Sequence, residues 1–324
     1  MLIDNHGRVV NYLRLAVTDR CNLRCFYCMP AEGIDWLARK DLMSYEELLR
    51  VCTLLVNRGI EKIRITGGEP FVRKDIMSLL RELAKLSKLK ELNITTNGVL
   101  TAPYIPELKK LGIRTVNLSL DTLDRNRFFA ITRRDELDAV MDTMYQLLQH
   151  GIEVKINAVV MDGRNTQDIA PLVALTKELP VSVRFIEEMP FNGSGAGVAG
   201  IEWDHMRILD TIQQAYPLVK KIPDPAYSTS YNYHIPGHKG NVGIIAAYTR
   251  SFCGSCNRIR ITPQGMLKTC LYDGGVLSIK DLIRTGHTDE QVCAAVTSAI
   301  GLRVKNGWEA EQSSKHESMA AIGG

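Results

Sequence analysis

Between residue 12 and about residue 190 the chain alternates short β-rich runs with amphipathic stretches, six times over at near-regular spacing. Runs rich in β-branched residues and bounded by glycine and polar residues mark strands, and a 3.6-residue apolar period between them marks helices. The pattern predicts strands at Tyr12 to Thr18, Lys62 to Thr66, Glu91 to Thr96, Thr115 to Leu120, Glu153 to Val160 and Ser182 to Glu187. Helices are expected at Tyr45 to Arg58, Asp75 to Leu86, Tyr104 to Leu111, Leu137 to His150 and Thr166 to Leu179. Six strands joined by crossover helices imply an α/β fold with a parallel sheet, either open and doubly wound or curved into an incomplete barrel; the period alone does not choose. Phe191 to Gly200 is too glycine-rich for a helix and predicts a flexible loop. A helix near Trp203 to Ala215 follows, and the Pro-rich break at Ile222 to Pro225 sets the boundary of a main domain, residues 1–225. Residues 226–324 are then a smaller domain, with short strands near 228 to 234 and 241 to 248 and two helical stretches.

A chain of 324 residues, 45% hydrophobic, buries a large core. Its net charge of +4, from 40 Lys and Arg against 36 Asp and Glu, demands no broad nucleic-acid surface, so no nucleic-acid partner is expected, although a local basic pocket is compatible with it. No run of eighteen apolar residues appears, and the start, Met1-Leu-Ile-Asp-Asn-His, lacks the basic and apolar segments of a signal peptide. The expectation is a cytoplasmic protein without a membrane partner, monomeric or homodimeric. In the cytosol thiols are kept reduced, and clustered cysteines there favour metal over disulfides.

The eight cysteines fall into two triads and two strays. Cys52 and Cys293 sit in apolar helical runs and read as core residues. Cys21, Cys25 and Cys28 come from eight residues at the end of the first strand, with no nearby fourth cysteine or histidine; Cys253, Cys256 and Cys270 repeat the count of three. Closed zinc sites and closed iron-sulfur clusters take four protein ligands, so three leave one metal position open for a substrate. A zinc knuckle completed by a distant residue is the plainer alternative for the first triad, and a structural zinc site with surface arginines for the second. In parallel α/β sheets reactive groups gather at the carboxyl ends of the strands. The first triad, Gly67-Gly68-Glu69-Pro70, Thr95-Thr96-Asn97-Gly98, Ser119-Leu-Asp121 and Glu187-Glu188-Met189-Pro190 all fall at such ends, and Lys155 and Asn157 lie on the fifth strand. Arg258 and Arg260, two apart on a short strand beside the second triad, place two guanidinium groups on one face, suited to phosphate oxygens.

Cys21-Asn-Leu-Arg-Cys25-Phe-Tyr-Cys28 resembles the C-x3-C-x2-C motif of radical S-adenosylmethionine enzymes, and Gly67-Gly68-Glu69-Pro70 resembles that superfamily's second signature. The resemblance implies a 4Fe-4S cluster on the first triad whose free iron binds S-adenosylmethionine. With the second triad, Arg258-Ile-Arg260 and the terminal Gly323-Gly324, nearly the whole chain is similar to the GTP 3',8-cyclase family of molybdenum cofactor biosynthesis. Membership implies an incomplete (βα)6 barrel, a second 4Fe-4S cluster whose open iron takes the guanine base, and conversion of GTP to (8S)-3',8-cyclo-7,8-dihydroguanosine 5'-triphosphate. It also implies residue roles. Tyr27, Gly68, Ser119 and Met189 match S-adenosylmethionine contacts; Arg14, Arg64, Thr95, Lys155, Arg258, Ile259 and Arg260 match GTP contacts. Arg258, Arg260, Gly323 and Gly324 match catalytic positions, the glycines reaching the active site as a tail. An electron donor and a downstream cyclic pyranopterin monophosphate synthase are the implied partners. Two residues depart from the family pattern, Glu188 where an apolar or aromatic residue is usual and Phe71 where leucine is. The rival readings are a radical enzyme acting on a peptide, and an electron carrier or zinc-stabilised binding module without catalysis.

Overall fold

The computed structural model of the chain describes residues 1–189, 201–312 and 318–323; the glycine-rich stretch expected as a loop at 191–200 lies outside the described residues. Eight parallel strands form the centre: β1 (Tyr12–Ala16), β2 (Lys62–Thr66), β3 (Glu91–Thr96), β4 (Thr115–Ser119), β5 (Glu153–Val160), β6 (Ser182–Glu187), β7 (Asn241–Ile245) and β8 (Arg258–Ile261). Their spatial order is β8-β1-β2-β3-β4-β5-β6-β7. The first six strands stand in chain order, as right-handed crossovers demand, and the carboxy-terminal part adds one parallel strand to each edge. Antiparallel strands then cap both edges, Met266–Lys268 on β8 and Ser230–His234 on β7. The curved alternative is the one adopted: Ser230 at one edge and Arg258 at the other line the same cavity, so the sheet is an incomplete barrel.

Period-two alternation explains the layers. Leu13, Leu15, Ile63, Ile65, Ile94, Val116, Leu118, Val154, Ile156, Val183 and Phe185 face outward and are buried under the helices. Their neighbours Tyr12, Arg14, Lys62, Arg64, Thr95, Asn117, Ser119, Lys155, Asn157 and Arg184 face the cavity. The helices are α1 (Tyr45–Asn57), α2 (Ile76–Ala84), α3 (Ile105–Lys110), α4 (Arg125–Thr132), α5 (Leu137–Gln149), α6 (Ile169–Glu178) and α7 (His205–Ala215). α1 shows why they form: Ser44 and Glu47 make a reciprocal capping box, and Leu48, Val51, Cys52, Leu55 and Val56 make one buried stripe. Cys293 is likewise buried, in the helix Asp289–Gly301.

Two local features depart from the sequence-based expectation. β1 stops at Ala16, not Thr18, because the Thr18 carbonyl turns to accept from Gly68 N at 2.8 Å. α4 was not foreseen: Arg-Asn-Arg-Phe-Phe-Ala-Ile-Thr has no apolar stripe, and the helix is started by the Asp124 carboxylate, which accepts from Arg127 N at 2.8 Å.

One connection positions the second triad. Residues 246–257 run from the carboxyl end of β7 at one edge of the sheet to the amino end of β8 at the other, and so span the open side of the barrel. Glu187, fully buried at the end of β6, fastens this crossing: its carboxylate accepts from Tyr248 N (2.9 Å), Thr249 N (2.8 Å) and His205 N (2.8 Å). No helix among the described residues is long and apolar enough to cross a membrane.

Candidate active site

A cavity of about 480 Å³ runs through the barrel, and all six cysteines of the two triads line it. The first triad lies in the loop after β1. Backbone bonds from Cys28 N and Met29 N to the Cys25 carbonyl wind the loop tightly, and the Arg133 guanidinium ties it to α4 through the carbonyls of Arg24 and Met29. Asn97, at the end of β3, donates to Asn22 Oδ1 at 2.8 Å and faces Cys21 Sγ at 3.6 Å.

The Gly-Gly-Glu-Pro segment supports this loop from below. The structure puts its glycines against backbone. A Cβ on Gly68 would clash with the Arg20 carbonyl oxygen and lie 2.6 Å from that of Asp19; one on Gly67 would lie 2.5 Å from the Thr18 carbonyl oxygen. Gly68→Ala must therefore push the cysteine loop away. We expect it to cost about 1–3 kcal/mol of stability and to lower iron incorporation at the first triad, read by chemical denaturation and by iron analysis.

Glu69 is fully buried and turned inward, accepting from Asn97 N (2.7 Å), Thr96 Oγ1 (2.9 Å) and Phe71 N (3.1 Å). Burial outweighs these donors and pushes its carboxyl up from 4.5 to about 7; burial likewise pushes Asp121 up to about 6. Both groups hold protons more tightly folded than unfolded, so each favours the folded state fully below its unfolded value. That contribution is lost as pH rises through the folded one. For Glu69 the window runs from about 4.5 to about 7, and the effect is about 3 kcal/mol. Glu69→Gln is expected to flatten the fall in thermal midpoint of the cluster-free protein across that window, whatever its absolute stability.

Burial also raises the thiols of the first triad, Cys21 to about 11 and Cys25 and Cys28 further. Iron must offset this, since only the thiolate ligates, and loading releases protons. Among the described residues no three Cys, His, Asp or Glu side chains converge closely enough to hold a single metal ion. The donor set, three cavity-facing thiols per site, suits iron-sulfur.

Tyr27, Gly68, Ser119 and Met189, the positions expected to contact S-adenosylmethionine, all line the cavity, with Met189 packed beside Cys270 against Tyr272, Ala310 and Ile322. Tyr27 OH donates to Asp121 Oδ2 at 2.8 Å, and Val159 N donates to Asp121 Oδ1 at 2.8 Å. Glu188 also borders it, with a carboxyl raised by burial against the pull of Arg164; Phe71 is buried and stacks on Tyr104 at 5.2 Å.

Between the triads lies a row of cations. Sheet register puts Arg260, Arg14 and Arg64 side by side on three adjacent strands, and Asn157 beside Arg184 on β5 and β6. With Arg258 and Lys155 these arginines make six of the cations that line the cavity. Lys155 pairs with Glu153 at 3.1 Å, but the Nε atoms of Arg64, Arg184 and Arg258 are buried without an acceptor, Thr95 Oγ1 without a partner, and Asn117 Oδ1 and Asn157 Oδ1 without a donor. Burial, then repulsion from Arg258, lowers Arg260 to about 10; burial and Arg64 lower Arg184 to about 10. Arg14 is lowered by burial and by Arg260, and Lys155 by burial and by Arg184. A wall of buried, mutually repelling cations with unfilled hydrogen-bond capacity is complementary to a polyanion. Ile259 points the other way and packs in the core.

The second triad is braced from both ends of the chain. Arg303 donates to Cys256 Sγ (3.0 Å) and to the Cys256 carbonyl (2.8 Å), while Arg8 donates to the Cys253 carbonyl (3.0 Å). Asp273 accepts from Cys270 N at 2.7 Å. Burial alone would raise the Cys256 thiol, but the Arg258 and Arg303 guanidiniums bring it down to about 7. The tail also reaches the site. Ser318 Oγ donates to the Cys28 carbonyl, and Arg260 Nη1 donates to the Gly323 carbonyl at 2.6 Å. Gly323 has φ +76°, and a Cβ there would lie 2.7 Å from both Ala16 Cβ and Thr66 Oγ1. Gly324 lies outside the described residues.

Sequence reasoning missed Arg184, Asn117 and Tyr12, all in the cavity wall. The signal was present: strands of a parallel sheet, covered on both faces, read as continuous apolar runs, and polar residues at every second position mark an inward face with something to bind. Asp4, Arg8 and Arg303 carried no such signal, because nothing in a linear reading brings the two ends of the chain to the second triad.

The curved parallel sheet, with a three-thiol loop after its first strand and Gly-Gly-Glu-Pro after its second, defines a radical S-adenosylmethionine protein. The family model described as Radical SAM superfamily matches residues 15–176, and that described as Molybdenum Cofactor Synthesis C matches residues 181–308. The GTP 3',8-cyclase of Geobacter sulfurreducens is 41% identical over 331 residues, covering 100% of this chain and 99% of its own. That of Peptoclostridium acidaminophilum is 44% identical over 289 residues, 89% of this chain and 88% of its own. The chain belongs to the GTP 3',8-cyclase family. It spans about half the length of other curated relatives, such as molybdenum cofactor biosynthesis protein 1 of Bos taurus, 40% identical over 93% of this chain and 47% of its own. The solved structure of Streptococcus suis SuiB bound to S-adenosylmethionine shares the fold, with a TM-score of 0.64 at 18% identity over 90% of this chain and 68% of that one.

Proposed function

We propose that this chain converts GTP to (8S)-3',8-cyclo-7,8-dihydroguanosine 5'-triphosphate, the first step of molybdenum cofactor biosynthesis, using two 4Fe-4S clusters and S-adenosylmethionine. The observation that carries the reading is the placement of two three-thiol sites in one cavity wall with six cations between them. Cys21, Cys25 and Cys28 hold the first cluster, and Cys253, Cys256 and Cys270 the second. Bound there, the first cluster and S-adenosylmethionine supply one-electron chemistry that yields a hydrogen-abstracting carbon radical.

The residues of the chain bind, orient and exclude water. Tyr27, Gly68, Ser119 and Met189 border the S-adenosylmethionine side. Arg14, Arg64, Lys155, Arg258 and Arg260, joined by Arg184, take the triphosphate, which relieves their mutual repulsion. Thr95 offers a hydroxyl to the nucleoside, and Ile259 contributes through its main chain. The packed cluster of Tyr272, Ala310 and Ile322, with Met189 and Met319 against it, keeps water from the side of the second triad. Gly323, whose carbonyl accepts from Arg260, belongs to the tail. Residues 1–225 act as the radical core and 226–324 as the part that closes it. An external electron donor and a downstream cyclic pyranopterin monophosphate synthase complete the setting, in the cytoplasm, for a monomer or homodimer.

An enclosed, cation-lined cavity suits a nucleoside triphosphate better than an extended peptide. Anaerobic reconstitution followed by incubation with S-adenosylmethionine, reductant and GTP tests the reading. Formation of 5'-deoxyadenosine with matching loss of GTP is expected. No 5'-deoxyadenosine would sink the radical assignment, and its formation without GTP consumption would leave the substrate wrong.

A further inference from the structure

The side chain that touches a sulfur of the second triad is Arg303, and it is held for that contact. Its Nη2 donates to Cys256 Sγ at 3.0 Å and its Nη1 to the Cys256 carbonyl at 2.8 Å. Arg303 is buried, 3% exposed, and faces Asp4 Oδ2 at 3.5 Å. Asp4 in turn pairs with Arg8 Nε at 2.6 Å, and Arg8 donates to the carbonyls of Cys253, Val304 and Lys305. His6 Nε2 contacts the Arg303 carbonyl at 3.0 Å. The amino-terminal hairpin, Leu2–Ile3 paired with Val9–Val10, thus presents one carboxylate that orients two guanidiniums onto one cysteine loop.

We propose that Arg303 is a positioning residue of the second cluster, whose charge-assisted hydrogen bond to the Cys256 sulfur, fixed by Asp4, sets that cluster's reduction potential. The proposal rests on the second triad holding a cluster. Reduction adds negative charge to the cluster and its thiolates, and a buried cation donating to sulfur stabilises the more negative state. Withdrawing it shifts the balance toward the oxidised cluster. A hydrogen bond to a charged group accounts for about a tenfold change in that equilibrium, or about 59 mV for one electron. Asp4 acts one step removed: Asp4→Asn keeps Arg303 but loosens its aim, and gives a smaller shift in the same direction.

The test uses full-length protein in which Cys21, Cys25 and Cys28 are Ala, so that the second cluster alone gives a signal. Redox titration followed by electron paramagnetic resonance compares this background with Arg303→Met, Arg303→Lys and Asp4→Asn, each with iron content measured. Arg303→Met is expected to keep its iron and titrate about 59 mV lower, with Arg303→Lys and Asp4→Asn between it and the parent. Full iron with an unshifted potential in Arg303→Met would overturn the proposal. If that variant does not fold or load, the parent grown with ¹⁵N-arginine decides. Coupling of an arginine ¹⁵N to the reduced second cluster that persists in Arg258→Lys supports the contact, and its absence rejects it. No second-cluster signal in the parent itself would overturn the two-cluster reading along with this proposal, an outcome distinct from an unshifted potential.

Discussion

Alanine at Cys21, Cys25 or Cys28 is expected to reduce 5'-deoxyadenosine formation to background, whereas alanine at Cys253, Cys256 or Cys270 leaves that cleavage running but uncoupled from GTP consumption. The split follows from placement. Each first-triad thiol is one of only three grips on its cluster, and the loop offers no spare cysteine. The second triad lies on the crossing segment and the adjoining strands, across the cation row from the site of cleavage. Chromatography of both nucleosides in the same anaerobic reaction reads the two outcomes separately. Cys52→Ala and Cys293→Ala are the controls. Both side chains are buried in helices away from the cavity wall, so they should lower the melting temperature modestly and leave both products unchanged. If a second-triad variant stopped cleavage as completely as a first-triad one, the division of labour would be wrong.

The second large effect is expected at Arg260. Its guanidinium is 8% exposed, stands beside Arg14 in the register of β8 and β1, and spans from the cation row to the Gly323 carbonyl. Arg260→Ala should weaken GTP binding roughly 10- to 150-fold, the 1.5–3 kcal/mol of a hydrogen bond to a charged group, and leave uncoupled cleavage of S-adenosylmethionine intact. Arg260→Lys keeps the charge but loses the planar fork, and should fall between. Isothermal titration with GTP measures the first effect and 5'-deoxyadenosine release the second. Loss of cleavage in Arg260→Ala would show that the residue serves the first cluster as well.

Much of the barrel was legible because its code is local. Six strands and their helices are written in period-two and 3.6-residue patterns, and the end-residue differences at β1 arise where a tertiary bond, Gly68 N to the Thr18 carbonyl, competes with the ladder. The cysteines were legible because their spacing is chemistry in itself. The role of Glu69 was not legible, since its partners Asn97 and Thr96 come from another strand and only the fold shows that its carboxylate is engaged internally. Arg184 and Asn117 were overlooked although their alternation was visible. Arg303 and Asp4 were beyond reach, because their mutual contact joins residues 299 apart in the chain.

The pairing of β8 with β1 also governs how the molecule is made. Tyr12 finds its edge partner only when Arg258 has been synthesised, so for most of translation the first strand is an open edge beside an unfilled thiol loop. Non-local pairings of this kind are slow to form, and an exposed edge is a template for unwanted association.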